Sequence, residues 1–137
     1  MYKITRKNRI KEELQLCHAN GDIAVSLDVD INVDEMAARF NKAYSNFVEA
    51  NGYLQKNTTS PEAMEQFGNT VIALFTVIFG EDGARKILEF YENHYSEMLV
   101  DLFPFINDEI MPKIAEASEE RKKQLLAASK KAKKSLR

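Results

Sequence analysis

The sequence predicts an α+β fold: an N-terminal β-hairpin packed on a mostly α-helical bundle of about four helices, from which a basic C-terminal helix projects. Three observations carry this. Apolar residues alternate with period two on either side of Asn20-Gly21, and the period changes to 3.6 from Asn32 onward. Residues 118–137 then lose their apolar anchors while gaining lysine. A chain of 137 residues suits a single domain of roughly 150. Its 45% hydrophobic and 29% charged residues exclude a disordered or collagenous chain. We assign residues 1–117 to one α+β domain, with the hairpin at 10–31 and helices from 33, and residues 118–137 to a basic helical or mobile tail.

In the hairpin, Asn20-Gly21 supplies the positive φ angles of a two-residue type I′ loop. A loop of that length sets Leu16 opposite Val25, Leu14 opposite Leu27, Ile10 opposite Ile31 and His18 opposite Ile23, all on one apolar face. The other face pairs Gln15 with Ser26, Lys11 with Asp30, Glu13 with Asp28 and Cys17 with Ala24. Leu14, Leu16, Val25 and Leu27 are the expected buried side chains. A lone two-stranded ribbon is marginal, so this one must lie on helices or join another sheet. Tyr2 to Arg6 is a candidate third strand.

Asn32 is placed to cap the first helix, with Glu35 in the capping-box position and Met36, Phe40, Ala43, Tyr44, Phe47 and Leu54 on one stripe. Asn51-Gly52 is expected to end or loosen it. Ser60 caps a second helix with Pro61 in its first turn, and its stripe is Met64, Phe67, Val71, Leu74, Phe75 and Ile78. Ile72, Val77 and Phe79 widen that stripe, which makes this the central buried helix. Gly80 and Gly83 make the break.

A third helix is expected from Asp82, with Ala84, Ile87, Leu88, Tyr91, Tyr95, Met98, Leu99 and Leu102 at helical steps until Pro104 kinks or stops it. Ile106, Ile110 and Ile114 form a narrower fourth stripe interrupted by Pro112. From Ala115 onward good helix formers offer only Leu125, Leu126 and Leu136 to bury, so this segment extends away from the core.

No segment reads as a membrane span, since the longest apolar stretch, Val71 to Phe79, is far short of the roughly 20 residues required. The start lacks the apolar core of a secretory signal, and a lone Cys17 forms no internal disulfide. The expected location is the cytoplasm.

Charge is divided unevenly. Residues 1–118 hold 11 Lys/Arg against 19 Asp/Glu, net -8, and residues 119–137 hold 8 against 2, net +6. The cations of the tail include Lys122, Lys123, Lys130, Lys131, Lys133 and Lys134, and a smaller cluster (Lys3, Arg6, Lys7, Arg9, Lys11) opens the chain. A solvated helix end accounts for the tail simply, because cations favour the negative end of the macrodipole. Nucleic acid is the sharper alternative, but residues 119–137 contain none of the aromatics that single-strand recognition uses. An acidic protein or a neighbouring subunit is the third.

Catalytic and cofactor chemistry find little support. Two histidines, His18 and His94, exclude multi-histidine zinc sites, and the order His94 then Glu97 reverses the Glu-x-x-His motif of carboxylate di-metal centres. Cys17 has no adjacent histidine and no CxxC partner. Gly80-Glu81-Asp82-Gly83 carries two carboxylates where a phosphate loop needs donors. We expect no catalytic residue, no metal and no cofactor. Off-stripe aromatics remain: Phe90, Phe103 and Phe105 are candidates for a partner-binding groove or subunit interface, together with the six tail lysines.

The stretch from Ile78-Phe79-Gly80-Glu81-Asp82-Gly83-Ala84-Arg85-Lys86-Ile87-Leu88-Glu89-Phe90-Tyr91, continuing to Met98-Leu99-Val100-Asp101-Leu102-Phe103-Pro104-Phe105-Ile106, resembles small tail assembly proteins of long-tailed bacteriophages and prophages. The likeness covers most of residues 10–115 and is one of pattern, with no invariant motif that fixes a site. It implies a non-enzymatic chaperone that coats the helical tape measure protein and helps tail tube subunits assemble around it. Some members are extended by a programmed frameshift. The partners implied are the tape measure protein, tail tube subunits and further copies of the chain. A nucleic-acid-associated phage or regulatory protein using the basic tail is the alternative.

Overall fold

Leu16 faces Val25, Leu14 faces Leu27 and Ile10 faces Ile31 across an antiparallel ladder between β1 (Arg9–Cys17) and β2 (Ile23–Asn32), the register that the alternation predicts. The structure is a computed structural model and describes residues 1–5 and 9–135. Leu16 and Leu27 are buried, with Leu14 and Val25 half-buried beside them.

The hairpin tip departs from expectation. Gly21 N–H donates to the His18 carbonyl and His18 N–H to the Asp22 carbonyl, both at 2.9 Å, so the loop is Ala19-Asn20-Gly21 and the positive φ of 93° falls on Gly21. Asn20 Oδ1 accepts from Asp22 N–H at 3.0 Å, a local bond that competes with the tighter type I′ loop. Cys17 therefore faces Ile23 and not Ala24, and His18 has no partner in the ladder. Ala24 is the extra residue of a bulge on β2, which offsets the residue that the longer loop takes from β1. The core register is unchanged.

Met1–Thr5 form no strand, and Tyr2 and Ile4 are exposed. Two apolar side chains bury too little area to offset the ordering of the segment. Arg6 and Lys7 lie outside the described residues, as do Leu136 and Arg137.

α1 (Val33–Lys56) is capped by Asn32, whose side chain accepts from Asp34 N–H at 3.1 Å. Asn51-Gly52 does not end it. Ala50 is buried and Leu54 half-buried on either side of that pair, and their packing outweighs the cost of about 1 kcal/mol for a mid-helix glycine. α2 (Pro61–Phe90) begins at Ser60, whose Oγ accepts from Ala63 N–H at 3.3 Å. Phe67, Val71, Leu74, Phe75 and Ile78 are buried as expected, but Met64 is exposed, and the adjacent Ala63 takes the inward position of the first turn. By length and composition α2 could cross a membrane, which corrects the expectation that no segment could. Here its apolar side chains face α1 and β2.

Gly80 alone breaks α2, with φ 78° and ψ 170°, after which the helix resumes and runs through Gly83. The expected third helix is itself divided. Glu92 and Asn93 both have positive φ, and their N–H groups reach back to the carbonyls of Glu89 (3.2 Å) and Leu88 (3.0 Å). That pair of bonds is a Schellman cap with Glu92 at the left-handed position.

Pro104 does not stop the chain. α3 (Tyr95–Phe105) passes into a π-helical turn (Ile106–Ile110) and then α4 (Met111–Ser135) without leaving helical geometry. The side chains dictate the change. Met98, Leu102, Ile106, Ile110 and Ile114 recur every four residues and are all buried. In a regular α-helix each such step advances about 40° around the axis, which would carry the row off the core face. An i→i+5 turn absorbs the drift, and Met111 N–H accordingly donates to the Ile106 carbonyl. The helices thus form three segments beside the hairpin, where about four were expected: α1, α2 with its break at Gly80, and α3 through α4.

Candidate partner-binding surface

Until Arg121, α4 has one engaged side. Ile114 is buried, Ala117 and Ser118 are half-buried, and Arg121 donates to Asp34 Oδ1 at 3.0 Å and to Gln124 Oε1 at 3.2 Å. Every described residue from Lys122 to Ser135 is exposed. Ile114, Ser118, Arg121, Leu125, Ala128 and Ala132 recur at alternating four- and three-residue steps, so they share one side of the helix. The core-facing stripe therefore continues beyond the body, where Leu125 is 63% exposed. Lys122, Lys123, Lys130, Lys131, Lys133 and Lys134 lie off the stripe on the remaining circumference, and no described carboxylate lies among residues 121–135.

Phe90, Phe103 and Phe105 occupy the rim of the core, each half-buried. Phe90 packs edge-on against Tyr91 (5.0 Å between centroids) and receives His18 from the hairpin tip at 5.7 Å. Phe103 meets Phe47 at 6.4 Å, and Phe105 stacks on Phe79 at 6.2 Å. They are spread over different neighbours and are not gathered in one groove with the tail lysines.

An acidic stretch runs from the end of α2 through α3 and the π-helical turn. Between Lys86 and Lys113 the chain has Glu89, Glu92, Glu97, Asp101, Asp108 and Glu109 and no lysine or arginine. All six are exposed. Val100 is 71% exposed, with Glu97 and Asp101 both on one side of it around the helix. Its position off the row Met98, Leu102, Ile106 was a signal in the sequence that went unused. Asp101 accepts from the Tyr91 hydroxyl at 3.1 Å, and burial first, then this hydrogen bond, pushes the Tyr91 phenol well above its ordinary value. At the opposite side, Arg9 donates to Asp30 at 2.7 Å across the hairpin, which holds the Asp30 carboxyl below its ordinary range.

Sequence reasoning also missed a charge on the apolar side of the hairpin. Glu12 alternates with Ile10 and Leu14, faces Val29, and pairs with Lys113 of α4. His94 Nδ1 lies 3.7 Å from Glu97 Oε2 with both groups exposed, and Cys17 is exposed. Among the described residues no group of three or more His, Cys, Asp or Glu is placed to hold a metal ion.

No family model matches the chain, and no curated protein or solved structure matches it.

Proposed function

We propose that the chain is a non-enzymatic assembly chaperone of the phage or prophage tail type, acting in the cytoplasm of a bacterial host by holding a tape measure protein while tail tube subunits polymerise around it. One observation carries the reading: from Lys122 to Ser135 an amphipathic helix is exposed on all sides, and its Leu125-Ala128-Ala132 stripe continues the core-facing side of α4. Such a helix is stable when something packs on it, since isolated helices of this length are marginal in water. A helical client offers the apolar stripe a matching surface, and carboxylates on the client meet the flanking lysines. The resemblance of residues 78–106 to tail assembly proteins supplies the class of client.

The test is co-expression with a candidate tape measure protein from the same genome, followed by co-purification. The expected result is a stable complex that is lost when the chain ends after Ala117. Failure of the full-length chain to retain the tape measure protein would sink the proposal. Retention of DNA that falls steeply with added salt would favour the nucleic-acid reading.

A further inference from the structure

The sequence holds two Asn-Gly pairs, Asn20-Gly21 and Asn51-Gly52, and the fold places them in opposite settings. Asparagine before glycine cyclises readily, because no side chain on the second residue shields its backbone nitrogen. Asn51 and Gly52 lie inside α1, where the Gly52 N–H belongs to the helical ladder and buried Ala50 and half-buried Leu54 hold the backbone on either side. Asn20 and Gly21 are exposed at the hairpin tip. There the Asn20 side chain folds back over its own backbone: Oδ1 accepts from Asp22 N–H at 3.0 Å, and Nδ2 donates to Asp22 Oδ2 at 3.1 Å. This Asx turn brings Cγ toward the Gly21 nitrogen, and the bond to Oδ1 draws electrons from Cγ. Gly21 N–H itself donates to the His18 carbonyl at 2.9 Å, a contact at the tip whose opening leaves the core pairs of the ladder in place.

We propose that Asn20 is a site of spontaneous modification by water, converting to aspartate and isoaspartate while Asn51 is preserved. Hydroxide takes the Gly21 amide proton, and the nitrogen lone pair attacks Asn20 Cγ. The Cγ–Nδ2 bond breaks, Nδ2 takes a proton from water and leaves as ammonia, and a succinimide ring remains. Water then opens the ring at either carbonyl. Breaking the new Cγ–N bond gives aspartate on an unaltered backbone. Breaking the original peptide C–N bond routes the chain through Cγ and gives isoaspartate, which lengthens the loop by a carbon atom. The net reaction turns an amide and a water into a carboxylate and an ammonium ion. Both products remove the Nδ2 donor and set a second carboxylate next to Asp22, so an attraction becomes a repulsion. The tip rests on α2 through His18 against Phe90, 5.7 Å between ring centroids, and this contact is the one that loosens. The ladder from Leu16 with Val25 onward is spared. Aged chains thus carry an added negative charge and a loosened tip on an intact body.

The inference is independent of the proposed function and is tested on the full-length chain alone. The protein is held in mildly alkaline buffer and sampled over time, with peptide mapping by mass spectrometry to follow amide loss at each asparagine. Asn20 is expected to convert about tenfold or more faster than Asn51, because a loop tip opens far more often than the middle of a packed helix. An isoaspartyl methyltransferase should label the aged peptide that contains residue 20. Asn20→Gln, whose longer side chain closes a ring with the next nitrogen far more slowly, should lose that label while its circular dichroism matches wild type. In urea the rates at Asn20 and Asn51 should converge, since both then precede glycine in an open chain. Conversion of Asn51 as fast as Asn20 in the folded protein overturns the inference. So does a preference for Asn20 that persists undiminished in urea, because local sequence and not the fold would then set it.

Discussion

Lys113 of α4 pairs with Glu12, the one carboxylate on the apolar side of the hairpin, and so ties the end of the chain to its beginning. Glu12 opposes Val29, which is 1% exposed, and the other three residues of its strand's inward row, Ile10, Leu14 and Leu16, are aliphatic. Lys113→Met should destabilise the fold by about 1 kcal/mol, because it leaves that carboxylate beside Val29 without its cation. Glu12→Val combined with Lys113→Met should recover most of the loss in a urea denaturation cycle. Additive single losses with no recovery would show that the pair does not act as a unit.

Gly80 has φ 78° and ψ 170°, a region open in practice only to glycine. A Cβ there would meet no neighbouring atom, so strain of the backbone is the whole effect of a substitution. Gly80→Ala should cost about 1–3 kcal/mol by thermal or urea unfolding. An unchanged midpoint would mean that the break in α2 is not a requirement of the fold.

Glu92 at the left-handed position of the Schellman cap carries a penalty that glycine would not. Glu92→Gly should therefore stabilise the protein by about 0.5–1 kcal/mol. Destabilisation instead would show that the Glu92 side chain contributes more than its backbone conformation costs.

Tyr91 provides a pH dependence with a defined sign. Its phenol titrates higher in the folded chain than in the unfolded one, because burial and Asp101 disfavour the phenolate. Below pH about 10 the phenol is protonated in both states and this contribution is fully present. As pH rises further the unfolded state loses its proton first, and stability falls until the folded phenol ionises as well. Denaturation midpoints between pH 9 and 11 should decline less steeply for Tyr91→Phe than for wild type, and ultraviolet titration should show one tyrosine ionising after the others.

The hairpin is the place to test the core register. Leu16→Ala or Leu27→Ala, each at a site 6% exposed, should cost about 2–5 kcal/mol, and Cys17→Ala or Gln15→Ala on the outer face less than about 0.5. Truncation after Ala117 should leave the thermal midpoint nearly unchanged, since among the described residues beyond it only half-buried Ser118 and Arg121, the latter through an exposed pair with Asp34, lie against the body. Unfolding of the truncated chain would place the tail in the core.

Patterns with one strong period were legible without coordinates. The alternation of Leu14, Leu16, Val25 and Leu27 set the strand register, and Asn32 and Ser60 marked two helix starts. The misses have separate causes. Asn20-Gly21 admits both a two- and a three-residue loop with the same core register, so the apolar pattern alone did not distinguish them. The end of α2 was hidden because Glu92 occupies a position that glycine usually marks. Pro104 suggested a stop, but the four-residue row from Met98 to Ile114 requires an underwound helix and keeps the chain helical past it. Of the candidate surface, the tail lysines were readable from composition. Val100, Arg121 with Asp34, and Glu12 with Lys113 depend on which side of an element meets the body.

The tip of the hairpin has a practical use. Loop Ala19–Gly21 and the bulge at Ala24 shift the count of residues by one in opposite senses, so the strands below Leu16 and Val25 are indifferent to how the tip is cut. Deleting Ala24 should yield an unbulged ladder with every inward side chain still inward. A short epitope or fluorophore-binding peptide inserted between Asn20 and Gly21, both exposed, would lie on the far side of that buffer. The tip thus offers an attachment point for imaging or affinity capture that leaves the strand register untouched.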